Sequence, residues 1–357
     1  MIEGLDQILE GSGQPGLREL RELLQELIGV AGAAGRWVDQ QMLQPRAERV
    51  FRLSFVIDGQ TRSVVVKRLK PEIARRNELV AQRWLPAIGL GESAPTLLGT
   101  VAERSGSCVW HVYEDLGPWE LDPHQPDRAR VQTAVELIAR VHARFAGHPL
   151  LAEVRLHGGD FGIQFYESNV RDALRGLEAL RPPPEQRALR ERLLERLHQL
   201  RDELPQRAQA LTELGGPETL LHGDLWAINV FVLPTATGLQ ARLIDWDHAA
   251  VGPISYDLST FLLRFPANER PWILDSYRAA IAPAGWQLPG ATDLNLMFET
   301  AELARFANRI IWPAIALVMD QASWGFDELA EVEEWFENLE PVLPCEDGTR
   351  AGSLVSV

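Results

Sequence analysis

Asp224, Asn229 and Asp245 carry side-chain oxygens whose types and spacing suit chemistry on a phosphate. They stand in His222-Gly223-Asp224-Leu225-Trp226-Ala227-Ile228-Asn229 and in Leu243-Ile244-Asp245-Trp246-Asp247. Phosphoryl transfer asks for little covalent help from a protein. It needs an aligned hydroxyl and cations that neutralise phosphate charge. A carboxylate such as Asp224 can accept the hydroxyl proton. Asn229 offers a neutral oxygen and Asp245 an anionic one, the ligands that a hard cation such as Mg²⁺ prefers. Asp247 stays open between a second metal ligand and a loop carboxylate. His222 reads as a brace for the loop rather than as an acid or base.

These residues need a rigid floor. Thr219-Leu220-Leu221 runs into the first segment, and strands at 230–233 and 241–244 flank a turn at 234–238. Upstream, Ser63-Val64-Val65-Val66-Lys67 is a β-branched strand ending in lysine. Arg68 points to the opposite face of that strand. A helix is predicted over 71–85, with Pro71 at its first position and Pro86 as its stop. Ile73, Val80 and Trp84 give it an apolar face, and Glu78, with Glu72 as competitor, a carboxylate. Cys108 to Tyr113 reads as another strand, broken by Glu114-Asp115-Leu116-Gly117-Pro118.

The pattern His-x-Asp-x-x-x-x-Asn, with an Asp after the following apolar strand, matches the spacing of protein kinases. Gly223 replaces their arginine, and Asp245-Trp246-Asp247 replaces Asp-Phe-Gly. In these changes the chain resembles the aminoglycoside phosphotransferase and choline kinase family, over about residues 40–330. The resemblance implies an α+β, bilobal protein-kinase-like fold, with a small antiparallel-sheet lobe and a larger, mainly helical lobe. It implies an ATP-dependent kinase acting on a small-molecule hydroxyl of aminoglycoside, amino alcohol or sugar type, with ATP and Mg²⁺ as cofactors. Asp224 would be the base, and Asn229 and Asp245 the metal ligands. Lys67 would hold the α- and β-phosphates and pair with Glu78. The Glu114 carbonyl and the amide of Leu116 or a neighbour would meet the adenine. Gly252-Pro253-Ile254-Ser255-Tyr256-Asp257-Leu258 is similar to a family segment whose Asp braces the catalytic loop. A glycine-rich phosphate loop is missing, since residues 42–51 contain no glycine; Arg46 and Arg49 are the cations there. His-Gly-Asp-Leu-Trp also resembles fructosamine kinases, so a ketosamine kinase is an alternative. An inactive pseudokinase serving as a binding protein is another.

The chain has 357 residues, 46% hydrophobic and 24% charged, which suits a globular, two-lobed protein. The boundaries expected are 1–34 for an amphipathic helical region, 35–114 for the nucleotide-binding small lobe, 115–118 for the hinge and 119–357 for the helical lobe. Net charge is −15 with a pI near 5.1. That argues against nucleic acid as partner and suits a cationic or polyhydroxyl acceptor. Glu299, Glu302, Asp320 and Asp327, with Trp312 and Trp324, could anchor such a cation. Cys108 and Cys345 match no metal or redox spacing, the start is acidic without an apolar core, and the apolar run 310–319 is too short to span a bilayer. A cytoplasmic protein without membrane contact is expected. The sequence leaves the oligomeric state open.

Overall fold

A computed structural model describes residues 2–29, 35–44 and 49–344. The chain forms two compact units, Met1–Leu121 with Ile228–His248, and Asp122–Ala227 with Ala249–Val357.

The first unit is built on a six-stranded sheet. Its strands are β1 (Ile2–Glu3), β2 (Gly35–Met42), β3 (Val50–Ile57), β4 (Gln60–Leu69), β5 (Leu97–Ala102) and β6 (Val109–Glu114), in the order β1-β2-β3-β4-β6-β5. All pairings are antiparallel except β1 with β2. Two-residue periodicity divides the sheet into faces. Phe51, Leu53 and Phe55 of β3, Val66 of β4 and Trp110 and Val112 of β6 form one buried core. Leu20 and Leu24 of helix α1 (Leu17–Gly29) complete it, so the amphipathic helix docks on its own sheet. A Cβ on Gly99 would lie 3.0 Å from Leu23, so glycine at that position lets the helix approach β5. The alternate residues, Val50 and Arg52, Val65 and Lys67, and Tyr113, face a cavity.

Helix α2 (Pro71–Leu79) follows β4, with Pro71 in its first turn. It runs through a π-helical turn, Val80–Trp84, into α3 (Leu85–Ala87). The predicted stop at Pro86 is therefore overrun by a residue. The wide turn accounts for this, because the Leu85 amide bonds the Val80 carbonyl and the ladder is already reset where proline has no N–H to give.

The hairpin Val230–Thr235/Gly238–Leu243 belongs to this first unit rather than to the helical one expected from sequence. Its tether explains why. The Leu121 amide donates to the Val230 carbonyl at 2.9 Å and the Val232 amide to the Trp119 carbonyl at 2.8 Å. The segment past the hinge is thereby stitched to the hairpin.

The second unit is helical. Its helices are α4 (Arg128–Phe145), α5 (Leu151–Gly158), α6 (Ile163–Ala179), α7 (Arg187–Asp202), α8 (Leu204–Leu214), α9 (Ser255–Leu263), α10 (Arg270–Ile281), α11 (Ala291–Met319) and α12 (Trp324–Glu337). Asp127 caps α4 through the Arg130 amide at 3.0 Å. α7 and α8 are separated at Glu203, where Pro205 opens the second helix. Leucines of α6 and α7 pack with Leu303, Ala307 and Ile310 of α11 and with Leu329 and Val332 of α12. The short antiparallel pair Thr219–Leu221/Ala250–Gly252 is fully buried and leads into the first motif. No helix among the described residues is long and apolar enough to cross a membrane.

Candidate active site

In the first unit, Lys67 is the centre of a charge cluster. Its register on β4 aims it away from the apolar core, and it is only 6% exposed. Its Nζ donates to Asp245 Oδ1 and to Asp247 Oδ1, each at 2.6 Å. Asn77 of α2 donates to Asp247 Oδ1 at 2.9 Å, and Arg76 donates to the Asp247 carbonyl. Arg49 lies 3.8 Å from Asp247 Oδ2. Asp245 adopts a left-handed backbone, φ 63°, between the end of the hairpin and the turn Trp246–His248. Asp is among the few side chains that tolerate that conformation, and strain of this kind gathers at functional sites. Burial and the neighbouring charges of Asp247, Asp245 and Glu78 push the Tyr113 phenol up.

Lys67, Asn77, Tyr113, Asn229 and Asp245 line a cavity of about 440 Å³. Glu114 and Leu116 line its other end. The Glu114 carboxylate accepts from the Thr96 amide at 2.6 Å, from the Thr96 hydroxyl and from Arg242. Asp115 fixes the segment. It accepts from Arg52 at 2.7 and 3.0 Å, from Ser63 at 2.6 Å and from the Gly117 amide at 3.0 Å. Burial pushes its carboxyl up, but these donors outweigh burial and leave it below its ordinary value.

Glu78 is not brought to Lys67. It accepts from Thr100 at 3.1 Å and lies 3.4 Å from His111 Nε2. The reason is register. His111 stands opposite Lys67 on β6 and takes the helix glutamate, while Asn77, one residue earlier, turns to the lysine cluster. Arg46 lies outside the described residues.

In the second unit the loop after Thr219–Leu221 hangs from one buried carboxylate. Asp257, 1% exposed at the start of α9, accepts from the His222 amide at 2.7 Å and the Gly223 amide at 2.9 Å. His142 Nε2 is 3.3 Å from the same carboxylate, and its Nδ1 is 2.8 Å from the Tyr277 hydroxyl. Burial pushes the Asp257 carboxyl up, yet the His142 hydrogen bond and the His142 and His222 charges outweigh it and the pKa falls. Gly223 turns through φ 81°, a conformation open to glycine where protein kinases carry arginine. His222 is buried, and its Nδ1 faces the Asp224 amide at 3.4 Å. The Trp226 amide closes a tight turn onto the Asp224 carbonyl at 2.9 Å. Asp224 itself is half-buried.

A family model described as the phosphotransferase enzyme family matches residues 43–291. The chain belongs to that family. Phosphotransferases of known structure share its fold. An aminoglycoside phosphotransferase solved with GDP and kanamycin has a TM-score of 0.57 at 15% identity, covering 90% of this chain and 99% of its own. An ethanolamine kinase from Plasmodium vivax has a TM-score of 0.55 at 12% identity, covering 88% and 87%. Spectinomycin phosphotransferase, in complex with ADP and spectinomycin, has a TM-score of 0.54 at 13% identity, covering 91% and 95%. At these identities the likeness is one of fold, the α+β protein-kinase-like fold. No curated protein matches the sequence significantly.

For a phosphotransferase, the oxygen donors of the first unit suit Mg²⁺. Asp245 and Asn229 line one cavity, and the Asp247 Oδ2 is buried without a hydrogen-bond partner among the described residues. A buried orphan oxygen of this kind is a place for a cation. Mg²⁺ takes few protein ligands and completes its shell from phosphate and water, so two carboxylates and an amide suffice. Sequence reasoning missed Asn77 and the Arg52–Ser63–Asp115 cluster. Alternation along β3 marks Arg52 as sharing a face with Val50, but its meeting with Asp115 depends on strand register, which the sequence does not spell out.

Proposed function

We propose that this phosphotransferase moves the γ-phosphoryl group of ATP to a hydroxyl of a small molecule. The observation that carries the reading is Lys67, clamped between Asp245 and Asp247 on the wall of a cavity that Asn229 also lines. An ammonium with two carboxylates beside it is a ready place for phosphate oxygens and a divalent cation. In this reading Lys67 meets the α- and β-phosphates. Asn229 and Asp245 hold Mg²⁺, which supplies neutralisation of phosphate charge, and the Asp247 Oδ2, buried without a hydrogen bond among the described residues and 3.8 Å from Arg49, makes Asp247 a further ligand. The adenine lies at the other end of the cavity, against the carbonyl of Glu114 and the amide of Leu116. The Arg52–Asp115 cluster keeps that segment in place. Asp224, on a loop fixed by Asp257, accepts the proton of the acceptor hydroxyl. The solved relatives with ADP and GDP support nucleotide use. Glu78 acts on this site indirectly, through His111. The test is a screen of nucleotide consumption across small-molecule alcohols, with mass detection of the product and the Asp224→Asn protein as blank. A phosphorylated product that persists in the blank would remove Asp224 from its role. Intact ATP with every acceptor would reject the kinase reading.

A further inference from the structure

The helical unit lays an arginine on the tryptophan two residues after Asp224, where the acidic net charge of the chain suggests carboxylates for a cationic acceptor. Arg264 follows the last residue of α9. Its guanidinium carbon lies 3.5 Å from the centroid of the Trp226 ring. Trp226 is two residues from Asp224, and its amide donates to the Asp224 carbonyl at 2.9 Å. Stacking fixes the plane of the guanidinium and leaves its edge to donate. The Arg264 Nε is buried and has no hydrogen-bond partner among the described residues.

Two of the acidic side chains expected to meet a cationic acceptor, and the neighbouring Arg305, are already committed. Arg305 donates to Glu302, to the Tyr256 carbonyl and, at 3.1 Å, to Ser259. Glu302 also accepts from Ser259 at 2.7 Å and is 4% exposed. Glu299 is taken by Arg207 at 3.1 Å. Two of the carboxylates that could have met a cation are thus spent on arginines. Burial pulls the Arg264 pKa down, offset in part by Glu302 and Asp224 and deepened by Arg305. A buried donor of this kind gains from an anionic partner.

We propose that Arg264, laid on Trp226, is an acceptor subsite that takes an oxyanion, a carboxylate or phosphate borne by the same molecule whose hydroxyl meets Asp224. The inference rests on the phosphotransferase reading of Asp224 and narrows its acceptor to acidic alcohols. Trp226 supplies the platform for the guanidinium and a half-exposed apolar face for the acceptor's carbon skeleton. A carboxylate suits the planar fork through two parallel hydrogen bonds, and a phosphate does so equally.

The test uses scaffolds that differ in charge alone. The full chain with ATP and Mg²⁺ is offered glucuronate, glucose 6-phosphate, glucose and glucosamine, and each product is read by mass. Thermal protection by each compound without nucleotide is read in parallel. Expected is a preference in kcat/KM for an anionic scaffold of about 10- to 100-fold over glucose, the scale of a charge-assisted hydrogen bond. Glucosamine should be the poorest. The carboxylate and phosphate arms identify which oxyanion the plate takes. Arg264→Gln should erase the preference through KM, and Arg264→Lys should restore part of it, since lysine keeps the charge and loses the fork. Retained thermal protection by ATP shows that the variants are folded. A preference for glucosamine, or an anion preference that survives Arg264→Gln, overturns the inference while leaving the kinase intact. If nothing is phosphorylated but an anionic sugar protects the wild type and not Arg264→Gln, the subsite stands and the kinase reading falls. Neither transfer nor anion-dependent protection overturns both.

Discussion

Lys67 in the sheet unit is held by side-chain charge, two carboxylates sharing one ammonium. The loop carrying Asp224 in the helical unit is held by its backbone, two consecutive amides on the buried Asp257. The first arrangement can be exchanged. Phosphate oxygens can replace carboxylates around an ammonium, and a divalent cation can replace the ammonium between carboxylates, with no change of backbone. The second arrangement has no competitor, because nothing that binds offers those amides a better partner than a fully buried carboxylate. A phosphoryl-transfer site needs both kinds of support. Its nucleotide side must accept and release a charged ligand, and its base must stay aligned through every turnover.

The contrast predicts where damage will be greatest. Asp224→Ala should lower kcat by about 10²–10⁴-fold, the usual scale of a positioned base, while ATP binding survives. Turnover near the wild-type rate would break the assignment. Asp257→Ala should act on stability first. It leaves two amides and a histidine buried without their acceptor, which costs about 3–5 kcal/mol by analogy with a broken buried pair. A denaturant midpoint close to wild type would show that the loop does not depend on the carboxylate. Asp257→Asn, which keeps one acceptor oxygen, should fall between the two.

Much of this division was legible in the sequence. Lys67 closing a β-branched strand and Asp245 just past the later hairpin were readable from residue type and pattern, and the two meet at 2.6 Å. The brace by Asp257 was implied by the resemblance of Gly252 to Leu258 to a family segment, and the bonds from the His222 and Gly223 amides agree with it. What could not be read depends on register and on pairings across long stretches of chain. Glu78 and Asn77 are adjacent on one helix, and which of them reaches Lys67 depends on helix phase and on His111 standing opposite on β6. The wall carboxylates Glu299 and Glu302 looked open because the arginines that take them are remote in sequence or hidden on the same helix. The hairpin's place with the sheet follows from two backbone bonds to 119–121, which carry no side-chain signature.

The exchangeable side of the comparison is tested by Asp245→Ala. Wild type should be protected thermally by ATP more strongly with Mg²⁺ than without it. A ligand at about 100 times its Kd stabilises by about 2.7 kcal/mol, so the difference is measurable. In Asp245→Ala the Mg²⁺-dependent part should vanish, since the metal loses its anionic ligand. Equal shifts in the two proteins would show that this carboxylate serves only to hold Lys67.

The smallest effect expected is a pH dependence seated next to Lys67. His111 is fully buried on β6, with Nδ1 2.8 Å from the Tyr113 hydroxyl. Burial pulls its pKa below the ordinary histidine value, Glu78 opposes this in part, and the Lys67 charge adds to the lowering. A neutral His111 spares the site a second cation. The sign of the linkage follows. Between the folded value and the unfolded value of about 6.5, the unfolded chain binds a proton that the folded chain refuses. Stability is therefore full above that range and falls as pH drops through about 6.5, by no more than about 1.4 kcal/mol per pH unit for one group. Urea unfolding at stepped pH between neutral and mildly acid should show this slope in wild type and a shallower one in His111→Gln. Asp257 does not confuse the reading, because its lowered pKa places its own loss of stability below the ordinary aspartate range. Identical slopes in the two proteins would mean that the sheet side is as indifferent to mild acid as the loop on Asp257, and the exchangeable cluster would have to be explained by Lys67, Asp245 and Asp247 alone.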